Sequence, residues 1–359
     1  MGTDVRGTPE AIDAEWLTDA LAEAGVARGA VVTHVSFVGL IGTGQTGRNG
    51  RFALTWDEPE GRPASVVAKF PSDDPHARAT AFGNGTYLRE FAFYDELVHT
   101  VGVRTPRMYV ARYDADAPDF VLLMEDVAGS VQGDQLAGLT EDQAVLAVDE
   151  AVRLHAPRWG DPTLEAQLGR GLTREMAAAG ASMAYEATLE GFLARLGHRL
   201  DPEVVLLTRA LAPYVGSWAL GLGTPSTVVH MDYRPDNFLF GRDPGAPPIV
   251  VVDWQTVSAG PAMNDLAYMI GGAFEPQRRA AVERGLVERY RTGLEAEGIE
   301  YDADTCWRDY RLASLWGVIM TVIATVYAQE TDRGNDMLTA MGNRHGRHAL
   351  DLQAIALLS

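Results

Sequence analysis

One cysteine, Cys306, stands in the 359-residue chain, so no internal disulfide can form, and no group of cysteines and histidines has the spacing of a zinc site. A reducing, cytoplasmic setting is the expectation. Basic residues are scarce: 30 lysines and arginines against 49 aspartates and glutamates leave a formal charge of −19. Nucleic acid and anionic membrane surfaces would meet repulsion rather than counterion release, which argues against both as partners. The excess of acid reads first as a solubility device and second as a field that would draw in a cationic substrate. Uninterrupted apolar runs are also missing. The most hydrophobic stretch, Leu312 to Ala328, is broken by Ser314, Thr321 and Thr325. It falls short of the roughly 20 residues of a bilayer span and reads as a buried helix. The amino terminus carries Asp4 and Glu10 and lacks the apolar core of a secretory signal.

What the chain does have is the run His230-Met231-Asp232-Tyr233-Arg234-Pro235-Asp236-Asn237, followed by the apolar strand Ile249 to Val252 and then Asp253. An aspartate with an asparagine five residues later, and a further aspartate at the mouth of a strand, is the spacing of a phosphoryl-transfer centre. A hydroxyl is a poor nucleophile at neutral pH, so Asp232 is predicted to align it and accept its proton. Asn237 and Asp253 supply the hard oxygen ligands that Mg²⁺ requires against the phosphates of ATP. Arg234 is predicted to clamp the γ-phosphate through its guanidinium. Read alone, the octapeptide is also compatible with turn chemistry between two strands.

The upstream sequence decides between these. Gly42, Gly44 and Gly47 follow the G-x-G-x-x-G spacing, which a dinucleotide site shares, but Arg51 to Trp56 alternates polar and apolar residues and reads as a strand rather than a helix. A glycine loop between strands lets backbone amides close over phosphates, with Gln45 and Thr46 nearest the tip. The strand Ser65-Val66-Val67-Ala68-Lys69-Phe70 carries one charge out of an apolar run, and that charge needs a partner. The phosphates and Glu90, on an amphipathic helix through Tyr87, Phe91, Tyr94 and Leu97, are the candidates. Asp119 to Gly129 reads as a buried strand entering a hinge. There the backbone around Glu125 and Asp126 is expected to meet the adenine edge, with Met124 packed close by.

Together with Leu154 to Gly160, Asp253-Trp254-Gln255 and Gly260-Pro261-Ala262-Met263-Asn264-Asp265-Leu266-Ala267-Tyr268, these motifs resemble the aminoglycoside phosphotransferase and choline kinase-like superfamily. The branch they look most like is that of ecdysteroid kinase-like and related bacterial phosphotransferases. The resemblance runs from about Gly39 to Tyr268. It implies an α+β, bilobal, protein-kinase-like fold, ATP with Mg²⁺ as cofactors, and transfer of a phosphate to a hydroxyl of a small molecule. It also implies that Asp232 is the base and Asp253 the metal aspartate. Two departures stand out: Trp254-Gln255 replaces Phe-Gly, and Tyr-Arg-Pro-Asp replaces the Leu-His-Pro-Gly of aminoglycoside enzymes. An antibiotic acceptor is therefore not implied.

The expected layout is an N-terminal helical extension over 1–28, a small β-rich nucleotide-binding lobe over 29–126 and a large, mainly helical lobe over 127–359. Helices are expected over Pro9 to Gly25, Glu141 to Leu154, Arg174 to Leu196, Pro202 to Leu220, Pro276 to Ala296 and Trp307 to Tyr327. Asp265 is expected as a helix N-cap, a role that in the family accompanies steadying of the catalytic loop. His155 is expected as a packed, hydrogen-bonded core residue. Tyr185, Trp307, Tyr310 and Trp316 read as core at helical spacing, or as the wall of an apolar acceptor site. Alternative readings of the whole are a catalytically silent ATP-binding module and a kinase acting on a protein-attached group. The intact Lys, Asp, Asn and Asp set weighs against the first, and the lack of an A-P-E segment after Asp253 against the second.

Overall fold

The structure is a computed structural model that describes residues 5–42, 46–168, 173–222, 225–326 and 330–358. The chain divides into two compact units whose boundaries interleave along the sequence. The first comprises Met1–His99, Thr105–Gly129 and Val252–Thr256, and the second Thr100–Arg104, Ser130–Val251 and Val257–Ser359.

The first unit is built on strands β1 (Val32–Ile41), β2 (Gly47–Trp56), β3 (Ser65–Pro71), β4 (Met108–Tyr113) and β5 (Phe120–Glu125), in the antiparallel order β1-β2-β3-β5-β4. The alternation read in Arg51 to Trp56 puts Phe52, Leu54 and Trp56 on the buried face of β2. Against that face packs helix α1 (Ala14–Glu23), through Trp16, Leu17 and Leu21. Burial of such side chains contributes about 1.5–3 kcal/mol each. The N-terminal segment is therefore part of the sheet's core rather than an extension standing apart from it. Its α-helix also opens later than expected. Pro9–Ala11 forms a 3₁₀ turn, and the helix starts at Asp13, whose carboxylate accepts the Trp16 amide at 2.8 Å.

Pro71 to Gly85, which reads as a break in the sequence, holds helix α2 (Pro75–Gly83), because Asp74 caps it and Pro75 sits at its first position. Helix α3 (Thr86–Ala92) runs into one π-helical turn, Phe93–Leu97. Tyr87, Phe93, Tyr94 and Leu97 are buried there.

The second unit is mainly helical. It contains β6 (Ser130–Gln132), α4 (Glu141–His155), α5 (Leu164–Leu168), α6 (Arg174–Leu196), α7 (Pro202–Leu211), α8 (Val215–Gly221), β7 (Ser226–Val229), β8 (Phe238–Gly241) and β9 (Ile249–Val251). It continues with β10 (Ser258–Pro261), α9 (Met263–Ala273), α10 (Pro276–Ala296), α11 (Ala303–Ala313), α12 (Leu315–Ala324) and α13 (Asp332–Asp351). The strands form a three-stranded sheet, β6-β8-β9, and a two-stranded one, β10-β7. Helix α4 begins with a reciprocal capping box between Thr140 and Gln143. Every residue of α9 is buried, which makes it the central helix of this unit.

Two expected helices are divided. Pro202 to Leu220 breaks at the 3₁₀ turn Ala212–Tyr214, where Pro213 offers no amide to the helix. By length and composition Pro202–Gly221 has the apolarity of a membrane span, and this turn interrupts it. Trp307 to Tyr327 breaks at Ser314, whose hydroxyl bonds the Arg311 carbonyl at 2.7 Å; Tyr327 lies outside the described residues. Tyr185 and Tyr310 are core residues, the former donating to the Thr208 carbonyl at 2.9 Å. Trp307 lies beneath the Arg284 guanidinium at 3.9 Å.

Candidate active site

In the first unit, β3 delivers Lys69 and α3 delivers Glu90 to one point. The ammonium lies 2.7 Å from Glu90 Oε2 and 2.9 Å from Asp253 Oδ1. Burial alone would lower the Lys69 pKa, but the charges of Asp253 and Glu90 outweigh it and raise it well above the usual lysine value. Glu90 is raised by burial, against the pull of Lys69. Asp253 is the most accessible of the three, with 28% of its side chain exposed against 8% for Lys69 and 2% for Glu90. It is therefore the carboxylate best placed to take a further ligand.

Asp253 has φ +68°, in the left-handed region that costs an L-residue about 1–2 kcal/mol and that aspartate tolerates better than most. The residues after it fix the turn. Trp254 is fully buried and stacks on Phe93 with centroids 3.8 Å apart and planes 6° apart, and Gln255 Oε1 accepts the Thr46 hydroxyl at 2.5 Å. The Trp-Gln departure from Phe-Gly thus has a packing reason.

The glycine loop joins β1 to β2. Gly42 has φ +74°, and Gly44 and Gln45 lie outside the described residues. Thr46 is tied down at its carbonyl by the Tyr87 hydroxyl at 2.7 Å. Gly47 has a separate purpose: a β-carbon there would come within 3.0 Å of the Phe70 carbonyl oxygen and 3.2 Å of Lys69 Cε. At the end of the segment expected to be a hinge, Met124 is buried in β5. The Glu125 amide is committed to the Arg107 carbonyl at 2.8 Å and the Asp126 carbonyl accepts the Ala128 amide at 2.7 Å. The Asp126 carboxylate binds Arg51 at 2.9 Å and Ser65 at 2.7 Å, tying β2 and β3 to the end of β5. Those two backbone groups are engaged inside the unit.

In the second unit, the loop leaving β7 carries His230 to Asn237. Asn237 Nδ2 donates to the Asp232 carbonyl at 2.8 Å and to its carboxylate at 3.0 Å, which leaves the amide oxygen as the atom with metal-binding chemistry. Arg234 lies between two carboxylates, with Nε 3.1 Å from Asp232 Oδ1 and Nη1 2.6 Å from Asp236 Oδ2. Burial would lower its pKa, and those two charges raise it instead. Met231 sits at φ +67° without a side chain suited to that region, and its surroundings hold it there. Its amide donates to Asp265 Oδ1 at 2.7 Å, and its carbonyl accepts the Trp316 indole at 3.2 Å.

Asp265 is not a helix cap. Ala262 occupies the N-cap of α9, and Asp265, fully buried, accepts the His230 amide at 2.6 Å as well as that of Met231. His155 completes the clamp, with Nε2 3.2 Å from Asp265 and Nδ1 2.7 Å from the Tyr290 hydroxyl. The clamp function could not be read from spacing, because Asp265 and the loop are more than thirty residues apart. Among the described residues no group of three histidine, cysteine, aspartate or glutamate side chains could hold a metal ion. The Asp253 carboxylate in the first unit and the Asn237 amide oxygen in the second are each hard donors of the kind Mg²⁺ takes, and neither has the nitrogen or sulfur character of a zinc site.

A five-stranded unit in which a helix glutamate pairs with a strand lysine, and a helical unit carrying an H-x-D-x-x-x-x-N loop, define the protein-kinase-like class of phosphotransferases. The profile of the phosphotransferase enzyme family matches residues 46–301. The chain belongs to that family, and is an enzyme that transfers phosphate to an alcohol group. Among solved structures, the GDP complex of wild-type aminoglycoside 2'-phosphotransferase-IIIa is 17% identical, over 91% of this chain and 97% of its own, with a TM-score of 0.53. A choline kinase from Cryptosporidium parvum Iowa II is 10% identical over 90% of each chain, with a TM-score of 0.54. At these identities the likeness is one of fold. Among curated proteins no sequence is significantly similar to this one.

Proposed function

We propose that the protein is an ATP- and Mg²⁺-dependent kinase that phosphorylates a hydroxyl of a small metabolite or drug-like alcohol. The observation that carries this reading is the Lys69 ammonium, held at 2.7 Å by Glu90 and at 2.9 Å by Asp253. Of the chain's 30 lysine and arginine residues Lys69 is the only lysine. In this reading Lys69 holds the nucleotide phosphates and the glycine loop covers them. Asp232 orients the acceptor hydroxyl and takes its proton, while Arg234 neutralises charge gathering on the transferred group. Asn237 and Asp253 would hold Mg²⁺, which supplies electrostatic stabilisation of the phosphates when bound. Aminoglycoside and choline enzymes of similar fold support a small acceptor.

Because there is one lysine, a lysine-acylating ATP analogue has one side-chain target. We expect it to label Lys69 and to be displaced by ATP. With Mg-ATP and a mixture of sterols, hydroxyacyl compounds, amino sugars and choline-like alcohols, mass spectrometry should find a phosphorylated product that is lost in Asp232→Asn, while labelling of Lys69 persists. GTP belongs in the same assay, since a similar structure holds GDP. Unlabelled Lys69 would sink the nucleotide assignment, and an undiminished product from Asp232→Asn would sink the assignment of the base.

A further inference from the structure

Asp236 is the residue of the catalytic loop that the proposed chemistry leaves without a task. We infer that Asp236 is a positioning residue: it holds the Arg234 guanidinium against the base Asp232, so that the charge of Arg234 is aimed before any substrate arrives. The inference rests on the reading of Asp232 as the base. Arginine carries a long, rotamer-rich side chain, and besides Nε on Asp232 its far end would keep, among the described residues, only the weak contact of Nη1 to Met337 Sδ at 3.8 Å, which cannot fix its orientation. Asp236 Oδ2 takes that far end, accepting from Nη1 at 2.6 Å while Nε stays 3.1 Å from Asp232.

Asp236 is itself fixed from several sides. Its Oδ1 accepts the Gln135 backbone amide at 2.7 Å, and its carbonyl accepts the Gln132 side-chain amide at 2.7 Å. Gln135 is 1% exposed and donates through Nε2 to the Gly272 carbonyl at 3.0 Å. The carbonyls of Gln135 and Leu136 accept from Arg344 at 2.8 and 3.0 Å. A carboxylate anchored through the turn at Gln135 to α9 and α13 is a rigid post, and a guanidinium tied to it is preorganised. Two of the three departures at this loop, arginine at 234 and aspartate at 236, are therefore one device rather than unrelated substitutions.

The test is a set of full-length variants: Asp236→Asn, Arg234→Lys and the double variant. The first readout needs no catalysis. In protein labelled with [¹⁵N]arginine, the Arg234 side-chain signals are identified by their disappearance in Arg234→Lys. Wild-type protein should show hindered rotation, with separate Nη signals. Asp236→Asn, which keeps the side-chain shape and an oxygen for the Gln135 amide, should average them. The second readout is kinetic: Asp236→Asn should lower kcat by about 10- to 100-fold while the nucleotide KM moves less than about 2-fold. In the Arg234→Lys background the same change should add little, because Asp236 acts through Arg234. Unchanged Arg234 signals in Asp236→Asn, or losses that multiply in the double variant, would overturn the inference. Averaged signals in a protein that transfers no phosphate would leave it standing and overturn the proposed function instead.

Discussion

Lys69 shows what a single residue can reveal. Wherever this chain needs a positive charge it uses arginine, with the one exception of position 69. A surface charge or an ordinary ion pair is served equally well by either side chain, so the exception marks a place where a compact point charge on a slender stem is required. The structure gives the steric reason: the Lys69 stem runs beside Gly47, where even a methyl group would lie 3.2 Å from Cε. Lys69→Arg should therefore fail although it conserves charge. We expect kcat/KM to fall at least about tenfold, equivalent to about 1.4 kcal/mol, together with a lower melting temperature. Full activity in that variant would show that only charge matters here. The pairing of Lys69 with Glu90 is legible in the sequence because a charge leaving an apolar strand needs a partner. The sequence leaves Asp236 without its role and offers the loop-steadying role of Asp265 only through the family resemblance, because those roles depend on partners such as Gln135 and His155, about a hundred residues away.

At the scale of elements, periodicity located most helices and mistook some of their ends. The errors fall where a local polar group competes with the helix: Asp13 caps α1 later than Pro9 suggests, and Ser314 separates α11 from α12. Helix α13 is not marked by apolar periodicity, since its buried face mixes Leu338, Met341 and glycines with Arg344, His345 and His348. That face sets a pH response. Burial lowers the His345 pKa to about 3, with the charges of Arg344 and Arg279 adding to it, and burial lowers His348 well below the usual value. A group whose pKa is depressed on folding contributes stability that is present above its unfolded value, about 6.5, and that is lost as pH falls toward the folded one. From pH 7 to pH 5 the unfolded chain takes up protons at both positions that the folded chain refuses. Stability should then drop by up to about 1.4 kcal/mol per pH unit for each histidine. Denaturant titration of the wild type and of His345→Gln checks this, because the variant should show the shallower slope. Parallel slopes would mean that His345 is protonated in the fold.

For the whole molecule, the order of motifs predicts consecutive domains, with boundaries near 28 and 126. The two units instead exchange short segments: Val252–Thr256 belongs with the sheet unit and Thr100–Arg104 with the helical one. No composition shift announces such an exchange, because it is made by pairing across long sequence separations. The segment Val252–Thr256 does a great deal for its unit. Asp253 is one of the two carboxylates on Lys69, and Trp254 is fully buried against Phe93. A fragment of residues 5–129 would keep all five strands and α1 to α3. It would nevertheless leave the Phe93 face uncovered and the Lys69–Glu90 pair short of its third member. Removing a large buried aromatic costs about 3–5 kcal/mol, a large share of the roughly 5–15 kcal/mol that holds a domain together. The fragment should therefore unfold with a broad, weakly cooperative transition, and a Val252–Thr256 segment joined through a flexible linker should sharpen it. Thermal melts followed by near-ultraviolet circular dichroism read this out. A sharp transition in the bare fragment, unchanged by the added segment, would show that the sheet unit folds without residues supplied from so far along the chain.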